Sequence, residues 1–263
     1  ACFCLWHKPQ SERICAYLHN HTERNYISYD LVKRLYGEEN AYPLNPESPL
    51  LVWKILHETR LYNQSFSSLS IQPYIYKWLS GINELNAGIT SHVYLYKTHE
   101  PLASWPVHET AAYLRHHIHS NNGNRIRILV SGIEKSGRKS FAACVAGELS
   151  LPLLVADTDH IPSERWEDFY INVNLQAYTD KYAIAWTGER ISDKIFPAYP
   201  SPFHVQFIIC EPGTEVKRIE GVTDKNVEIS TLTLKETEEI WKKLRPGCVQ
   251  AEYEKIGLSR FQF

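Results

Sequence analysis

Methionine is missing altogether from these 263 residues, and most signatures that would settle a function at a glance are missing with it. No run of 18 or more apolar residues occurs, so no membrane-spanning helix is expected. The opening stretch ACFCLWHKPQ has neither a basic start nor an apolar run, so no secretory leader is read there. Without an initiator methionine, the chain reads as a piece of a longer protein. There is no GxSxG elbow, no HExxH and no EF-hand loop. The six cysteines (Cys2, Cys4, Cys15, Cys144, Cys210 and Cys248) form no CxxC pair with zinc spacing. Cys144 and Cys210 lie in apolar segments and read as buried thiols, which fits a reducing cytoplasm. Cys2 and Cys4 alternate as on one strand face, and a metal or disulfide role there is the lesser reading. Nor is charge of one sign in excess: 28 Lys and Arg against 30 Asp and Glu leave −2. That balance argues against a basic surface for nucleic acid, which is not an expected partner.

What is present falls into two patterns. Residues 1–122 read as mainly helical. In SERICAYLHNHTERNYISYDLVKRLYG, Ile14, Tyr17 and Leu18 suggest one apolar face, Leu31 and Leu35 another, and Gly37 a stop. NAYPLNPESP reads as a connector, and Pro73 opens a helix after a short strand. A helix, short strand and helix of this kind suit a winged-helix-like unit. A further short strand is expected at Val93–Tyr96, then a helix over VHETAAYLRHHIHS ending in an Asn-Gly turn. From residue 123 to 250 the pattern changes: the apolar runs IRILVSG, LPLLVA, YAIAW and VQFIIC alternate with helical stretches. Strands apolar on both faces suit a parallel sheet covered on both sides, so the fold class is α/β. Thr233 and Glu236 make a capping box ahead of a helix that Pro246-Gly247 ends.

The most informative segment is IRILVSGIEKSGRKSFAACVAGEL. It runs strand, glycine loop, helix, with Phe141, Cys144, Val145 and Leu149 set to face the sheet. In such a loop backbone N–H groups converge and the helix N-terminus adds partial positive charge, which together cradle phosphate. The pattern for that cradle is GxxxxGK[ST]. Gly132 and Gly137 have its spacing, but Arg138 and Lys139 follow in place of Lys and Ser/Thr. Two registers are open: Arg138 and Lys139 at the two positions, or a loop one residue longer with Lys139-Ser140 as the pair. The helix length to LSLP favours the first. A guanidinium still holds phosphate through its planar fork, whereas a lysine in the hydroxyl position cannot ligate Mg²⁺. The alternative is a plain βα turn using glycines for close packing. The concentration of Lys135, Arg138 and Lys139 at a helix start opposes the helix dipole unless an anion or solvent lies beside it. Elsewhere, His108, His116, His117 and His119 cluster without a Glu or Cys to complete a zinc set and read as solvated; WEDFYINVNLQAY reads as packing.

With these residues in view, VSGIEKSGRKSFAACVAGELSLPLLVADTD resembles the Walker A region of AAA+ ATPases, and more narrowly of bacterial members with a winged-helix-type region before the ATPase core. YLHNHTERNYISYDLVKRLYG, LNPESPLLVWKIL and YIYKWLSGINEL resemble that upstream region, and IGLSRFQF (within 251–263) resembles the start of a truncated helical lid. The resemblance implies a P-loop core, ATP or ADP bound by Gly132, Lys135, Ser136, Gly137, Arg138, Lys139 and Ser140, a homo-oligomer (a ring among the options) and a protein client. It also exposes departures. Hydrolysis in this family needs an acid pair after a core strand, one for Mg²⁺ and one to orient water. AIAWTGE has no acid before Glu189, which serves as the water-orienting residue only if Thr187-Gly188 bulges, and is otherwise a surface acid. Asp157 and Asp159 follow the second strand rather than the Walker B strand, so no metal ligand is assigned. Cys210 and Glu211 stand where the family has a polar sensor, and Arg190 and Arg218 are candidates for a neighbour-reaching arginine. Nucleotide binding is expected over hydrolysis; the alternatives are an inactive pseudo-ATPase scaffold and a winged-helix DNA binder.

Overall fold

A computed structural model describes residue 8 and residues 10–37, 48–60, 67–120, 125–197 and 205–244. The NAYP part of the connector, the Asn-Gly turn after residue 120, the Pro246-Gly247 stop, Cys2, Cys4, Cys248 and the lid segment all lie outside the described residues. The chain divides into two compact units, residues 1–88 and 89–263.

In the first unit, α1 (Ser11–His19), β1 (Ile27–Ser28), α2 (Tyr29–Tyr36) and α3 (Pro49–Val52) precede β2 (Leu56–Arg60), β3 (Ser67–Ile71) and α4 (Pro73–Leu79). The three strands form an antiparallel sheet in the order β1-β3-β2. Ser28 caps α2 by accepting the Leu31 N–H, Gly37 ends it at φ +82, and Pro73 opens α4, each as its residue type favours. Cys15, Ile27, Leu31 and Leu69 form the core, with Leu18 and Val32 against it. The α1 face therefore differs from the one its sequence suggests: Ile14 and Tyr17 are exposed, and Cys15 takes the inward position beside Leu18. A free thiol is small and apolar enough to fill that place.

The second unit contains β4 (Val93–Tyr96), α5 (Val107–His119), β5 (Arg125–Gly132), α6 (Arg138–Glu148), β6 (Leu153–Asp157), α7 (Ser163–Asp180), β7 (Ala183–Thr187), β8 (Val205–Cys210), β9 (Val222–Ile229) and α8 (Leu234–Leu244). The strand at 93–96 and the helix at 107–119, read from sequence as part of an N-terminal region ending at 122, thus belong here. The reason is pairing: β4 lies antiparallel on β6, with Val93 opposite Ala156 and Tyr96 opposite Leu153. The six strands run β4-β6-β7-β8-β5-β9, and all but β4 are parallel. All four apolar runs are strands, and Val130, Val155, Ala185 and Phe207 are wholly buried, as two covered faces require. The crossover through α6 carries the chain from β5 past β8 and β7 to β6, whereas that through α7 returns from β6 to β7. Right-handed crossovers of opposite sense place the two helices on opposite faces. Among the described residues, no helix is long and apolar enough to cross a membrane.

The capping box forms. Glu236 accepts from the Thr233 N–H at 2.9 Å and from its hydroxyl at 2.8 Å, while Thr233 Oγ1 accepts the Glu236 N–H at 3.3 Å. Glu236 also accepts the Ser104 N–H at 3.3 Å, tying α8 to the loop before α5. Burial pushes this carboxyl upward, but the bonds from Ser104 and Thr233 outweigh it and hold Glu236 below the usual carboxylate range. Its contribution is therefore fully present above the pKa of the unfolded chain and is lost as pH falls through the lowered folded value. Glu236→Gln, which keeps the box geometry without the charge, is expected to flatten the acid limb of a stability–pH curve. Thr233→Val is expected to cost about 1 kcal/mol at neutral pH in urea unfolding.

Candidate nucleotide-binding site

The carboxyl ends of the parallel strands open into a cleft of about 750 Å³, within the range of small-ligand sites. In open α/β sheets ligands gather at this end of the strands. Its floor is the turn from β5 into α6. Gly132, the last residue of β5, pairs with Ile229 on β9. A Cβ at Gly132 would lie 2.7 Å from the Ile229 carbonyl oxygen and 2.7 Å from Ser136 Oγ. Gly137 caps α6 at φ +87, and a Cβ there would lie 2.5 Å from the Trp105 ring. Lys135 is left-handed as well, at φ +64. The two glycines are thus required by close approach and, at Gly137, by backbone hand. α6 begins at Arg138, so Arg138 and Lys139 occupy its first two positions. Amides in a first helical turn have no intrahelical acceptor, and this holds for those of Arg138, Lys139 and Ser140 at the start of α6.

The candidate residues separate by neighbourhood. Lys135, Gly137, Arg138, Lys139 and Ser140 line the cleft, and so does Glu189. Ser136 is instead buried beneath the turn, its hydroxyl without a partner and turned towards Gly132. Ser140 shares a hydrogen bond of 3.0 Å with the Tyr96 hydroxyl. Lys139 Nζ donates to the Tyr94 hydroxyl at 3.3 Å. Lys135 lies 3.7 Å from Glu134. Arg138 turns towards the end of β8: one guanidinium nitrogen donates to the Cys210 carbonyl and another pairs with Glu211 at 2.8 Å. Burial pushes the Cys210 thiol up, so it stays protonated beside that pair. Glu189 follows Gly188, whose φ is +153 and whose Cβ would meet Thr158 Oγ1 at 2.5 Å. Its N–H donates to Asp159 at 2.7 Å and its side chain is exposed.

Four further cleft residues went unassigned in the sequence: Tyr94 and Tyr96 on β4, Glu211 as the partner of Arg138, and Asp159 as an acceptor. The two tyrosines alternate with Val93 and Leu95, but only the pairing of β4 with β6 shows where that edge lies. Other candidates fall away from the cleft. Arg190 pairs with Asp193 at 2.8 Å. His108 lies 3.4 Å from Glu148 and His117 bonds the Tyr113 carbonyl; among the described residues no His, Cys, Asp and Glu group can hold a metal.

The fold and this cleft define an α/β protein whose mostly parallel six-stranded sheet is compatible with a Rossmann- or P-loop-like core. The chain matches no protein-family model and no curated protein. Among solved structures it is similar to a chain of the HORMA:CdnC:Trip13 complex of E. coli MS115-1, at 9% identity over 62% of this chain and 78% of that chain, with a TM-score of 0.33. A likeness of that size carries no argument about activity.

Proposed function

We propose that residues 132–140 hold the phosphates of a nucleotide, ATP or ADP, in an AAA+-type module that binds without efficient hydrolysis. The observation that carries this reading is the turn itself. Two glycines at which a Cβ would come within 2.7 Å of a neighbour bring the backbone from a buried strand into a helix start, beside three lysine or arginine side chains, at the open end of a parallel sheet. A plain βα turn would also need these close approaches, which are to Ile229, Ser136 and Trp105, but not three cations at a helix start, which work against the helix dipole unless an anion lies beside them.

The same residues do not fit Mg²⁺. In the first register an ammonium, Lys139, takes the position of the ligating hydroxyl, and β7 ends in Trp186-Thr187 where this reading would need an acid. Asp157 lies opposite Thr187 but on β6, and its carboxylate already accepts the Asp159 N–H. No metal-dependent step is assigned. Lys139 supplies positive charge where the metal otherwise would, so binding is expected to be nearly metal-independent. Calorimetric titration with ADP and ATP is expected to give affinities in EDTA and in Mg²⁺ that agree within about threefold. Arg138→Ala is expected to weaken both by about 10- to 100-fold, the loss of a charge-assisted contact to phosphate. No binding of either nucleotide would overturn the reading. Steady Mg²⁺-dependent turnover lost in Glu189→Gln would instead make the site an active ATPase, with Glu189 orienting water.

One observation favours a second reading, an inactive scaffold: Arg138 already has a carboxylate partner inside the chain. The winged-helix reading of the first unit is supported by its helix–strand–helix–helix–strand–strand order and antiparallel sheet. DNA retention that falls steeply with salt would be its signature.

A further inference from the structure

The cations of the cleft are not equally free to meet an anion. Among the described residues, Lys135 has Glu134 at 3.7 Å and Lys139 has a tyrosine hydroxyl, while Arg138 is engaged at two points on the end of β8. The Arg138 side chain is 12% exposed and that of Glu211 is 58% exposed. The guanidinium is therefore the fixed member of the pair, and the carboxylate is the one with room to leave. Glu211 follows directly on β8, and both it and Arg138 line the cleft that holds the loop. A phosphate and the Glu211 carboxylate are the same kind of partner for a guanidinium: both present anionic oxygens that accept charge-assisted N–H bonds. They cannot both have the same face of Arg138.

Resting on the nucleotide reading above, we infer that Glu211 is a built-in competitor for the polyphosphate: it occupies Arg138 when the cleft is empty and is displaced when phosphate enters. This device sets affinity through the empty state. Each binding event exchanges one carboxylate–guanidinium contact for one phosphate–guanidinium contact, so the net gain is only the difference between them. It also links the loop to the end of β8. When Glu211 is released, the segment from Glu211 to Thr214, whose ends are joined by the Thr214 N–H to Glu211 carbonyl bond, loses its ion pair with α6, one of the two points at which Arg138 holds the end of β8. A ligand that binds one state of such a pair better than the other shifts its population by that difference.

The test uses the full chain, with inorganic tripolyphosphate and ADP as probes, titrated without metal at fixed ionic strength. Glu211→Gln, which preserves shape and removes charge, is expected to tighten both probes by about 3- to 10-fold, the scale of a partly exposed ion pair. It is expected to lower thermal stability slightly at the same time, a combination that a merely structural role for Glu211 would not produce. In an Arg138→Ala background the same change is expected to have no effect on affinity, because the competed group is gone. Glu211→Ala, which removes the acceptor altogether, is expected to tighten both probes at least as much as Glu211→Gln, which covers the case in which the amide refills the contact. Wild-type binding that Glu211→Gln and Glu211→Ala both leave unchanged or weaken would overturn the competitor role alone. Absence of binding in wild type and in all variants would overturn the nucleotide reading along with it.

Discussion

Gly137→Val is expected to destabilise the protein by about 2–5 kcal/mol and to abolish nucleotide binding. Two costs add. The residue sits at φ +87, where a β-branched side chain is disfavoured by about 1–2 kcal/mol. Its Cβ would also lie 2.5 Å from Cζ2 and 3.0 Å from Cη2 of Trp105, and overpacking of that kind costs about 1–3 kcal/mol. Trp105 cannot simply retreat, since its ring packs edge-on against Phe141, a wholly buried residue of α6. The control is Gly213→Val. Gly213 has φ +77 but nothing within 4 Å of a Cβ, so only the backbone cost applies there. Urea unfolding of the two variants separates strain from collision, and titration with ADP reads the loop. Equal destabilisation at the two sites would mean that Trp105 is not packed against the loop and that the cradle is not rigidly built.

Much of this loop was legible in the sequence because its constraints are local. Glycine spacing, the apolar run before it and the small-residue helix after it each act over a few residues. The same holds for the Thr233–Glu236 box and for the parallel strands, whose apolar runs need no knowledge of their neighbours. What escaped depends on pairing between distant segments. The short strand at Val93–Tyr96 was visible, but its place beside β6, and hence in the second unit, is a tertiary fact. The α1 face misled because Ile14 and Tyr17 have the right chemistry, while the core had room for Cys15. Arg127 shows the same limit inside a strand. It sits in an apolar run yet is 2% exposed, because Asp224 on β9 meets it with two 2.8 Å bonds and the Lys217 carbonyl with a third. A charged residue within a buried run signals that a partner exists; only the register, Arg127 opposite Asp224, says which. The partner of Arg138 was hidden likewise: Glu211 stood out as an odd residue at a strand end, not as a counter-ion.

Trp186→Ala is expected to cost about 3–5 kcal/mol, the range for removing a fully buried aromatic side chain. Trp186 is wholly buried on β7 and stacks on Tyr170 at 5.3 Å, with Trp166 at 5.6 Å and Phe196 at 5.9 Å edge-on. Its indole N–H donates to Gln206 Oε1 at 3.1 Å, Gln206 donates to Asn174 at 2.9 Å, and Asn174 donates to the Tyr170 carbonyl at 2.8 Å. Truncation therefore opens a cavity and also strips a buried amide oxygen of its donor. Trp186→Phe isolates the second effect: most of the apolar area stays, the donor goes, and about 1–3 kcal/mol is expected to be lost. The position matters for function as well as stability. On the AAA+-type reading proposed above, Trp186 stands where a metal-dependent ATPase would approach its acid pair; here the strand end packs against Trp166 and Tyr170 of α7. Thr187, Gly188 and Glu189 follow it into the cleft. If the cleft serves binding rather than hydrolysis, Trp186→Phe should unfold earlier in urea yet keep its affinity for ADP within about twofold, because Gly132, Gly137 and Arg138 hold the phosphates from the other side of the sheet end. A Trp186→Phe protein of near-normal stability that fails to bind would show that the β7 end, not the glycine turn, governs the site.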